Sequence, residues 1–256
     1  MDMPRNTFKQ ALRTGQVQIG MWSSLCDGLS VEILAQAGFD WLLLDTEHAP
    51  NELPMVVRQL QAVSASSCQA IVRPPWNDAV MIKRFLDAGA QSLLVPMIQN
   101  AGEAANAVRA TRYPPHGIRG FSAAARASGF GRVDNYYGRC DEQLCVLVQI
   151  ETRAALANIE EIAAVDGVDG IFIGPGDLSA DFGYLGQPNH PDMVKLIDGA
   201  VARIRAAGKP AGILTGNEDL AQHYIDVGCL FVAVGADIGL LTKSAAHLVQ
   251  RFKKRA

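Results

Sequence analysis

Several ionisable side chains follow short apolar runs in this 256-residue sequence, in an arrangement suited to metal-assisted chemistry. Gln149 and Glu151 close the run CVLVQIE, and Asp177 follows the next run, GIFIG, after a Gly-containing turn. Two carboxylates at neighbouring strand ends indicate a magnesium or manganese site, because hard oxygen donors leave positions open for water and substrate. The spacing of two places Gln149 and Glu151 on the same face of a strand.

Three other apolar runs end in residues that could complete such a site. His48 could exchange protons near neutral pH, and Asp45, three residues earlier, could orient its ring. Arg73 closes the run AIVR, and Trp22 closes the run QIGMW. These side chains would supply an acid/base, a cation and an aromatic wall.

Each of these residues also has an ordinary structural interpretation. Asp177 is as well suited to a helix N-cap as to a ligand. His48 could be a solvated loop residue, and Arg73 could be half of a salt bridge. Trp22 alone is more often a core residue than a substrate contact. Their recurrence at matching strand ends favours a functional role.

The elements that must position these residues form a repeating pattern. Eight apolar runs alternate with segments of helical period, which predicts a single (β/α)₈ barrel, a TIM barrel, over residues 1–256. An open doubly wound sheet is the alternative. The runs are Gln18–Trp22, Trp41–Asp45, Ala70–Arg73, Ser92–Pro96, Cys145–Glu151, Gly170–Gly174, Ala211–Leu214 and Phe231–Gly235. In a barrel the chemistry lies at the carboxyl ends of the strands.

The bulk composition favours a small-molecule partner. A net charge of −3 and 19% charged residues indicate neither nucleic-acid binding nor a basic membrane patch. No apolar run has the roughly 20 residues of a membrane span, and the N-terminus does not resemble a signal peptide, so we expect a cytoplasmic protein. Five cysteines without a CxxC pair predict buried free thiols.

Several other chemistries lack their motifs. The segment GPGDLS lacks the third glycine of a dinucleotide fingerprint, and neither a GxxxxGK[ST] loop nor a GxSxG elbow occurs, so we expect no nucleotide cofactor. No lysine ends a strand, where a Schiff base would form, so carbanion chemistry here would need a metal. The segment from Gly117 to Arg139 is unusually long for a connection and is interpreted as a lid or binding loop.

Five segments resemble the metal-dependent (class II) 2-oxoacid or pyruvate aldolases, across essentially the whole chain. They are LLLDTEHAPN, VRPPWND, ATRYPPHGIRG, VLVQIET and GIFIGPGDLSADFGYLG. The family includes 4-hydroxy-2-oxoheptanedioate, 2-keto-3-deoxy-L-rhamnonate and 2-dehydro-3-deoxyglucarate aldolases. The resemblance implies a lyase that reversibly cleaves a 4-hydroxy-2-oxo acid to pyruvate and an aldehyde.

The resemblance also implies a role for each residue. Glu151 and Asp177 match the ligands of a divalent cation, Mg²⁺, Mn²⁺ or Co²⁺, and His48 matches the base with Asp45 as its partner. Arg73 matches the arginine beside the pyruvate carbonyl. The remaining substrate-binding positions are Trp22, Gln149, the main chain at Gly176 and Asp177, and Leu214 towards the aldehyde. The family further implies a homohexamer, a trimer of dimers that exchange a C-terminal helix at about 237–254.

Three departures leave the aldehyde open. Thr46 and Gly176 differ from the residues common in relatives, and the segment from Phe121 to Ala125 agrees in length with the deoxyglucarate enzymes. Two rival functions also stand. One is a barrel lyase for acyl-CoA or phosphoenolpyruvate-type substrates, with Arg73 and the segment from Arg119 to Arg132 as its basic patch. The other is a non-catalytic barrel that binds 2-oxo acids.

Overall fold

The computed structural model describes residues 1–253, and within them eight strands form the centre of the molecule. The last three positions of the predicted domain, 254–256, and the last position of the predicted C-terminal helix, 254, lie outside the described residues. The strands are β1 (Gln18–Ser23), β2 (Trp41–Asp45), β3 (Gln69–Arg73), β4 (Ser92–Val95), β5 (Cys145–Ile150), β6 (Gly170–Ile173), β7 (Ala211–Leu214) and β8 (Phe231–Ala236).

The strands are parallel and follow one another in chain order around a closed barrel. Pairing of β1 with β8 closes the sheet, with Gln18 opposite Phe231, so the barrel prediction is confirmed and the open-sheet alternative is wrong. The register between β2 and β3 places Asp45 directly beside Arg73. Because all strands point the same way, their carboxyl ends share one mouth.

Twelve helices surround the barrel in the described part of the chain. Short polar residues begin many of them: the side chains of Asp27, Asp78 and Asn217 accept hydrogen bonds from the main chain of the first turn. The helices are α1 (Thr7–Arg13), α2 (Gly28–Gln36), α3 (Leu53–Val63), α4 (Ala79–Asp87), α5 (Ala101–Thr111), α6 (Tyr136–Gln143), α7 (Arg153–Ala157), α8 (Ile159–Ala163), α9 (Pro175–Asp181), α10 (Pro191–Ala206), α11 (Glu218–Asp226) and α12 (Asp237–Lys253).

Large aromatic side chains fill the inside of the barrel. Phe8, from α1, is fully buried with its ring centroid 5.9 Å from that of Trp41 and 6.0 Å from that of Phe231. Trp41 fits because Gly20 opposite it has no side chain: a Cβ there would lie 2.1 Å from Trp41 Cε2. The helix α1 therefore covers the end of the barrel remote from the mouth, which leaves the mouth free for chemistry.

The long segment from Gly117 to Arg139, which follows α5, does not lie over the mouth of the barrel. It contains a 3-10 helix, Arg126–Ser128, and joins α6. Arg119 donates to the Asp87 carboxylate at 2.8 Å, and Arg126 donates to the Ala88 carbonyl at 2.8 Å. Both partners lie at the end of α4 that leads into β4, which is the end opposite the mouth. The interpretation as a lid over this chain's own mouth is therefore wrong.

Two expectations from composition can be compared with the structure. All five cysteines are free and buried, as predicted. Burial raises the pKa of the Cys68 thiol to about 12 and that of the Cys140 thiol to about 11, which keeps both protonated. Among the described residues, no helix combines the length and the apolar character needed to cross a membrane.

Candidate active site

Asp45 and Arg73, at the ends of β2 and β3, form a buried ion pair inside the mouth. Arg73 Nε donates to Asp45 Oδ1 at 2.9 Å, and Arg73 Nη2 donates to Asp45 Oδ2 at 2.7 Å. Trp22 Nε1 also donates to Asp45 Oδ2, at 3.2 Å, and the Trp22 ring lies 4.9 Å from the guanidinium carbon. Although burial opposes ionisation, the hydrogen bonds and charge of Arg73 hold the pKa of Asp45 below its ordinary value.

His48 and Glu47 lie on the loop that follows β2. The His48 side chain is 63% exposed, and its Nε2 is 3.9 Å from Glu47 Oε2. Asp45 contacts His48 through the main chain only, where His48 N donates to Asp45 Oδ1 at 3.4 Å. The expected contact between Asp45 and the His48 ring is thus absent from this chain's described residues, because both Asp45 oxygens are engaged by Arg73.

Gln149 and Glu151 lie together at the end of β5, as the period of two predicts. Gln149 Nε2 donates to Glu151 Oε2 at 2.7 Å, and Met97 N donates to Glu151 Oε1 at 2.8 Å. Gly174, after β6, makes room for them, since a Cβ there would lie 2.5 Å from Glu151 Oε2 and 3.1 Å from Gln149 Nε2. The Glu151 carboxylate is therefore held from two sides in a space that admits no further side chain.

Asp177 occupies the first turn of α9. Gly174 is the N-cap of this helix, so the interpretation of Asp177 as its N-cap is wrong. A negative side chain in the first turn is favoured by the helix dipole. Gly176, beside it, is exposed and lies against open space. Leu214 is half-buried at the end of β7 and packs against the cluster inside the barrel.

Three carboxylates repel one another at the mouth. Burial, together with the charges of Glu47 and Asp177, raises the pKa of Glu151 to about 7, although the hydrogen bonds from Gln149 and Met97 oppose the rise. Burial likewise raises the pKa of Glu47 to about 7, with Asp45 and Asp177 adding to the rise and Arg73 opposing it. A cation bound among these carboxylates would reduce the electrostatic repulsion between them.

The donor set at the mouth fits a hard divalent cation. Its ligands would be carboxylate oxygens, and Gln149 Oε1 is a buried acceptor without a hydrogen-bond partner among the described residues. Among the described residues, no group of three or more His, Cys, Asp or Glu side chains surrounds a single metal position. The site would thus offer two carboxylates at most as direct ligands, which leaves positions for water and substrate.

Two residues of the site were missed by the sequence analysis. Glu47 forms an ion pair with Arg73, with 2.8 Å between Oε2 and Nη1, and shares the EHAP segment with His48. That adjacency was a usable signal, because Glu47 follows a strand end as His48 does. Met97 contributes only its main-chain N–H, so its residue type carries no signal of the contact.

The fold and the mouth define a TIM barrel with buried carboxylates, an arginine and a histidine at the carboxyl ends of its strands, and comparison with known proteins specifies the family. Residues 18–244 match the family described as HpcH/HpaI aldolase/citrate lyase, and the chain belongs to that family. The chain is 58% identical over 252 residues to the 4-hydroxy-2-oxo-heptane-1,7-dioate aldolase of Klebsiella pneumoniae subsp. pneumoniae, covering 98% of this chain and 95% of the relative. The predictions of an aldolase family and of a carbon–carbon lyase are confirmed.

Solved structures show the same barrel. An HpcH/HpaI aldolase/citrate lyase family protein from Burkholderia cenocepacia J2315 superposes with a TM-score of 0.93 at 38% identity, covering 97% of this chain and 99% of the other. The citrate lyase beta subunit of M. tuberculosis, complexed with oxaloacetate and magnesium, has a TM-score of 0.58 at 16% identity, with 88% and 93% covered. The second comparison shows a shared fold alone.

Proposed function

We propose that this protein is a metal-dependent pyruvate aldolase that reversibly cleaves 4-hydroxy-2-oxoheptanedioate to pyruvate and a four-carbon aldehyde acid. The observation that carries the proposal is the 58% identity, over nearly the full length of both chains, with an aldolase named for that substrate. The arrangement of carboxylates, arginine and histidine at the mouth supports it independently. The related substrate 2-dehydro-3-deoxyglucarate is the nearest competitor.

Glu151 and Asp177 would hold the divalent cation, which is Mg²⁺, Mn²⁺ or Co²⁺. When bound, the cation supplies Lewis acidity to the keto group of the 2-oxo acid. A bound magnesium ion in the citrate lyase beta subunit is in keeping with this chemistry on the same barrel. Glu151 is buried, so it would hold the cation where little water competes with the charged substrate.

Arg73 orients the reacting end of the substrate. Its guanidinium is buried and held in one plane by Asp45 and by the Trp22 ring, so it needs no reorganisation as charge develops on the keto oxygen. Gln149 lies beside Glu151 and keeps an acceptor free for the substrate. The family resemblance assigns the substrate carboxylate to the main chain at Gly176 and Asp177 and the aldehyde end to Leu214.

His48 moves the proton. In the cleavage direction it takes the proton from the 4-hydroxyl, and the C3–C4 bond breaks to release the aldehyde. A proton then returns to C3 to complete pyruvate, and addition follows the same path in reverse. The exposed ring of His48 suits this role, because it is free to exchange protons with solvent between turnovers.

The rival function on an acyl-CoA or phosphate-bearing substrate finds less support. It needs a basic patch at the mouth, which only Arg73 and the segment from Arg119 to Arg132 were expected to supply. Arg73 is neutralised by Asp45, and Arg119 is buried against Asp87 at the far end of the barrel. The alternative of a non-catalytic barrel does not explain why three carboxylates that repel one another lie together at the mouth.

A homo-oligomer is part of the proposal. Apolar side chains recur along α12 and are more than half exposed: Leu241 at 58%, Leu248 at 53% and Phe252 at 67%. On α2, Leu29 and Ile33 are 65% and 64% exposed. Exposed apolar surfaces of this kind mark association sites. The family resemblance implies that α12 is exchanged with a second copy in a dimer and that three dimers form a hexamer. Light scattering in solution would measure the assembly.

The decisive experiment is a pyruvate-release assay coupled to lactate dehydrogenase, run over a panel of 4-hydroxy-2-oxo acids. We expect the highest kcat/KM with 4-hydroxy-2-oxoheptanedioate, loss of activity with EDTA, and recovery on addition of Mg²⁺ or Mn²⁺. Activity that survives EDTA and is trapped by borohydride would overturn the metal-dependent mechanism. Release of pyruvate from none of the panel would overturn the aldolase function itself.

A further inference from the structure

Met97 adopts a main-chain conformation that its residue type disfavours. It follows Pro96 directly after β4 and has a φ of 54°, in the left-handed region. Residues other than glycine rarely adopt this region, and asparagine or aspartate account for many of the exceptions. Methionine has neither the missing Cβ nor the short polar side chain that eases this conformation, so the surrounding structure must enforce it.

The left-handed turn directs one polar group into the active site. Met97 N donates to Glu151 Oε1 at 2.8 Å, while Gln149 Nε2 donates to Glu151 Oε2 at 2.7 Å. Each oxygen of the Glu151 carboxylate thus has one donor from a different element. This arrangement fixes the carboxylate plane and leaves the remaining lone pairs free.

Contacts of the two residues that follow Met97 hold the turn in place. Ile98 N donates to the Gln149 carbonyl at 3.0 Å, which ties the segment to β5. Gln99 N donates to Glu103 Oε2 at 2.8 Å, and Asn158 Nδ2 donates to the Gln99 carbonyl at 2.9 Å. Hydrogen bonds from three different parts of the barrel therefore fix Ile98 and Gln99. These hydrogen bonds offset the conformational strain at Met97.

We infer that Met97 is a positioning residue for the metal site, acting through its main chain: its left-handed conformation aims the N–H that orients Glu151 as a ligand. The inference rests on the proposed function, in which Glu151 binds the cation. Hydrogen bonds to the outer atoms of a ligand commonly set metal affinity, and their loss lowers it by about 10- to 100-fold. The thioether plays no part in this role.

Three substitutions at position 97 separate main chain from side chain. Met97→Gly and Met97→Asn both tolerate the left-handed conformation, whereas Met97→Val does not, because a β-branched residue at positive φ is strongly disfavoured. We expect the Gly and Asn variants to bind Mn²⁺ like the parent, and the Val variant to bind it about 10- to 100-fold more weakly. Affinity is measured on the metal-free protein by electron paramagnetic resonance titration, and circular dichroism checks the fold.

Glu103→Ala provides a second test if the Val variant does not fold. This substitution removes the acceptor of Gln99 N without touching Glu151, Gln149 or Asp177. Weaker Mn²⁺ binding by the folded Glu103→Ala protein supports the inference, and unchanged binding overturns it. A Gly variant that binds as weakly as the Val variant also overturns it, because the side chain would then be responsible.

Glu151→Gln distinguishes failure of this inference from failure of the proposed function. If Glu151→Gln binds Mn²⁺ like the parent, Glu151 is not a ligand and the metal assignment itself is wrong. If Glu151→Gln loses binding while folded Met97→Val retains it, the metal assignment stands and the role of Met97 is wrong.

Discussion

Arg73 and Asp45 are neighbours in the sheet register, and their side chains meet in two parallel hydrogen bonds of 2.9 and 2.7 Å. Both side chains are buried, with 7% and 2% of their surfaces exposed. The pair fixes the plane of the guanidinium inside the mouth, and this explains why a charged residue ends an otherwise apolar strand. It also makes Asp45 a structural partner of Arg73 rather than of the His48 ring.

Removing the Asp45 charge should therefore destabilise the protein. Asp45→Asn leaves a buried guanidinium without its bidentate partner, which typically costs about 3–5 kcal/mol of unfolding free energy. Urea denaturation followed by circular dichroism would measure the change. Glu160→Gln is the control, because it breaks the exposed pair between Glu160 and Arg203 and should leave the midpoint unchanged. Equal midpoints for Asp45→Asn and the parent would contradict the role given to this pair.

The same pair should make stability depend on pH in the acid range. The pKa of Asp45 is lowered in the folded protein from its ordinary value of 3.8, so the folded state binds fewer protons there than the unfolded chain. The stabilisation is fully present above the ordinary pKa and is lost as the pH falls through the folded value. The difference in urea midpoint between the parent and Asp45→Asn should shrink below about pH 5. A difference that stays constant down to acid unfolding would argue against this linkage.

Arg73→Lys tests the guanidinium rather than the charge. Lysine keeps one positive charge but cannot form the two parallel bonds to Asp45 or present a fixed plane to the substrate. We expect kcat/KM for pyruvate release to fall by about 10²- to 10³-fold, the usual effect of losing one preorganised contact to a developing oxyanion. Arg203→Lys, on the outer surface, is the matched control. A fall for both variants alike would indicate a general defect rather than a role for Arg73.

His48→Ala tests the acid/base. Because the ring is exposed, its removal should leave the urea midpoint unchanged while lowering kcat by about 10²- to 10⁴-fold. His116→Ala, which removes another exposed ring on a loop outside the mouth, should retain parental turnover. Near-normal turnover of His48→Ala in the coupled assay would show that another group moves the proton.

The strands could be predicted from the sequence because each buried parallel strand is marked by its own short run of apolar residues. The segments WLLLD and AGIL coincide with β2 (Trp41–Asp45) and β7 (Ala211–Leu214), since strands covered on both faces must be apolar throughout. The residues that end such strands therefore stand out as polar exceptions. For the same reason the pairing of Gln149 with Glu151 could be predicted from a spacing of two.

Contacts that depend on register or on long-range packing could not be predicted in this way. The engagement of Asp45 by Arg73 follows from the offset between β2 and β3, which the apolar pattern leaves undetermined. The turn at Met97 uses a main-chain donor, so no residue type marks it. The segment around Arg119 has the composition of a flexible loop, yet Asp87 fixes it at the far end of the barrel.

Gly174→Ala tests whether the space around Glu151 is as restricted as the structure indicates. The added Cβ would lie 2.5 Å from Glu151 Oε2 and 3.0 Å from Glu151 Cβ, so the carboxylate must move. Because Gly174 has an ordinary negative φ of −88°, alanine causes no main-chain strain at this position. We expect Mn²⁺ affinity to fall by about 10- to 100-fold, as when the surroundings of a ligand are disturbed. Gly199→Ala on α10 is the matched control, since a Cβ there meets open space and helix propensity rises. Calorimetric titration of both metal-free variants gives the comparison, and parental affinity in Gly174→Ala would show that Glu151 can shift without loss of the cation.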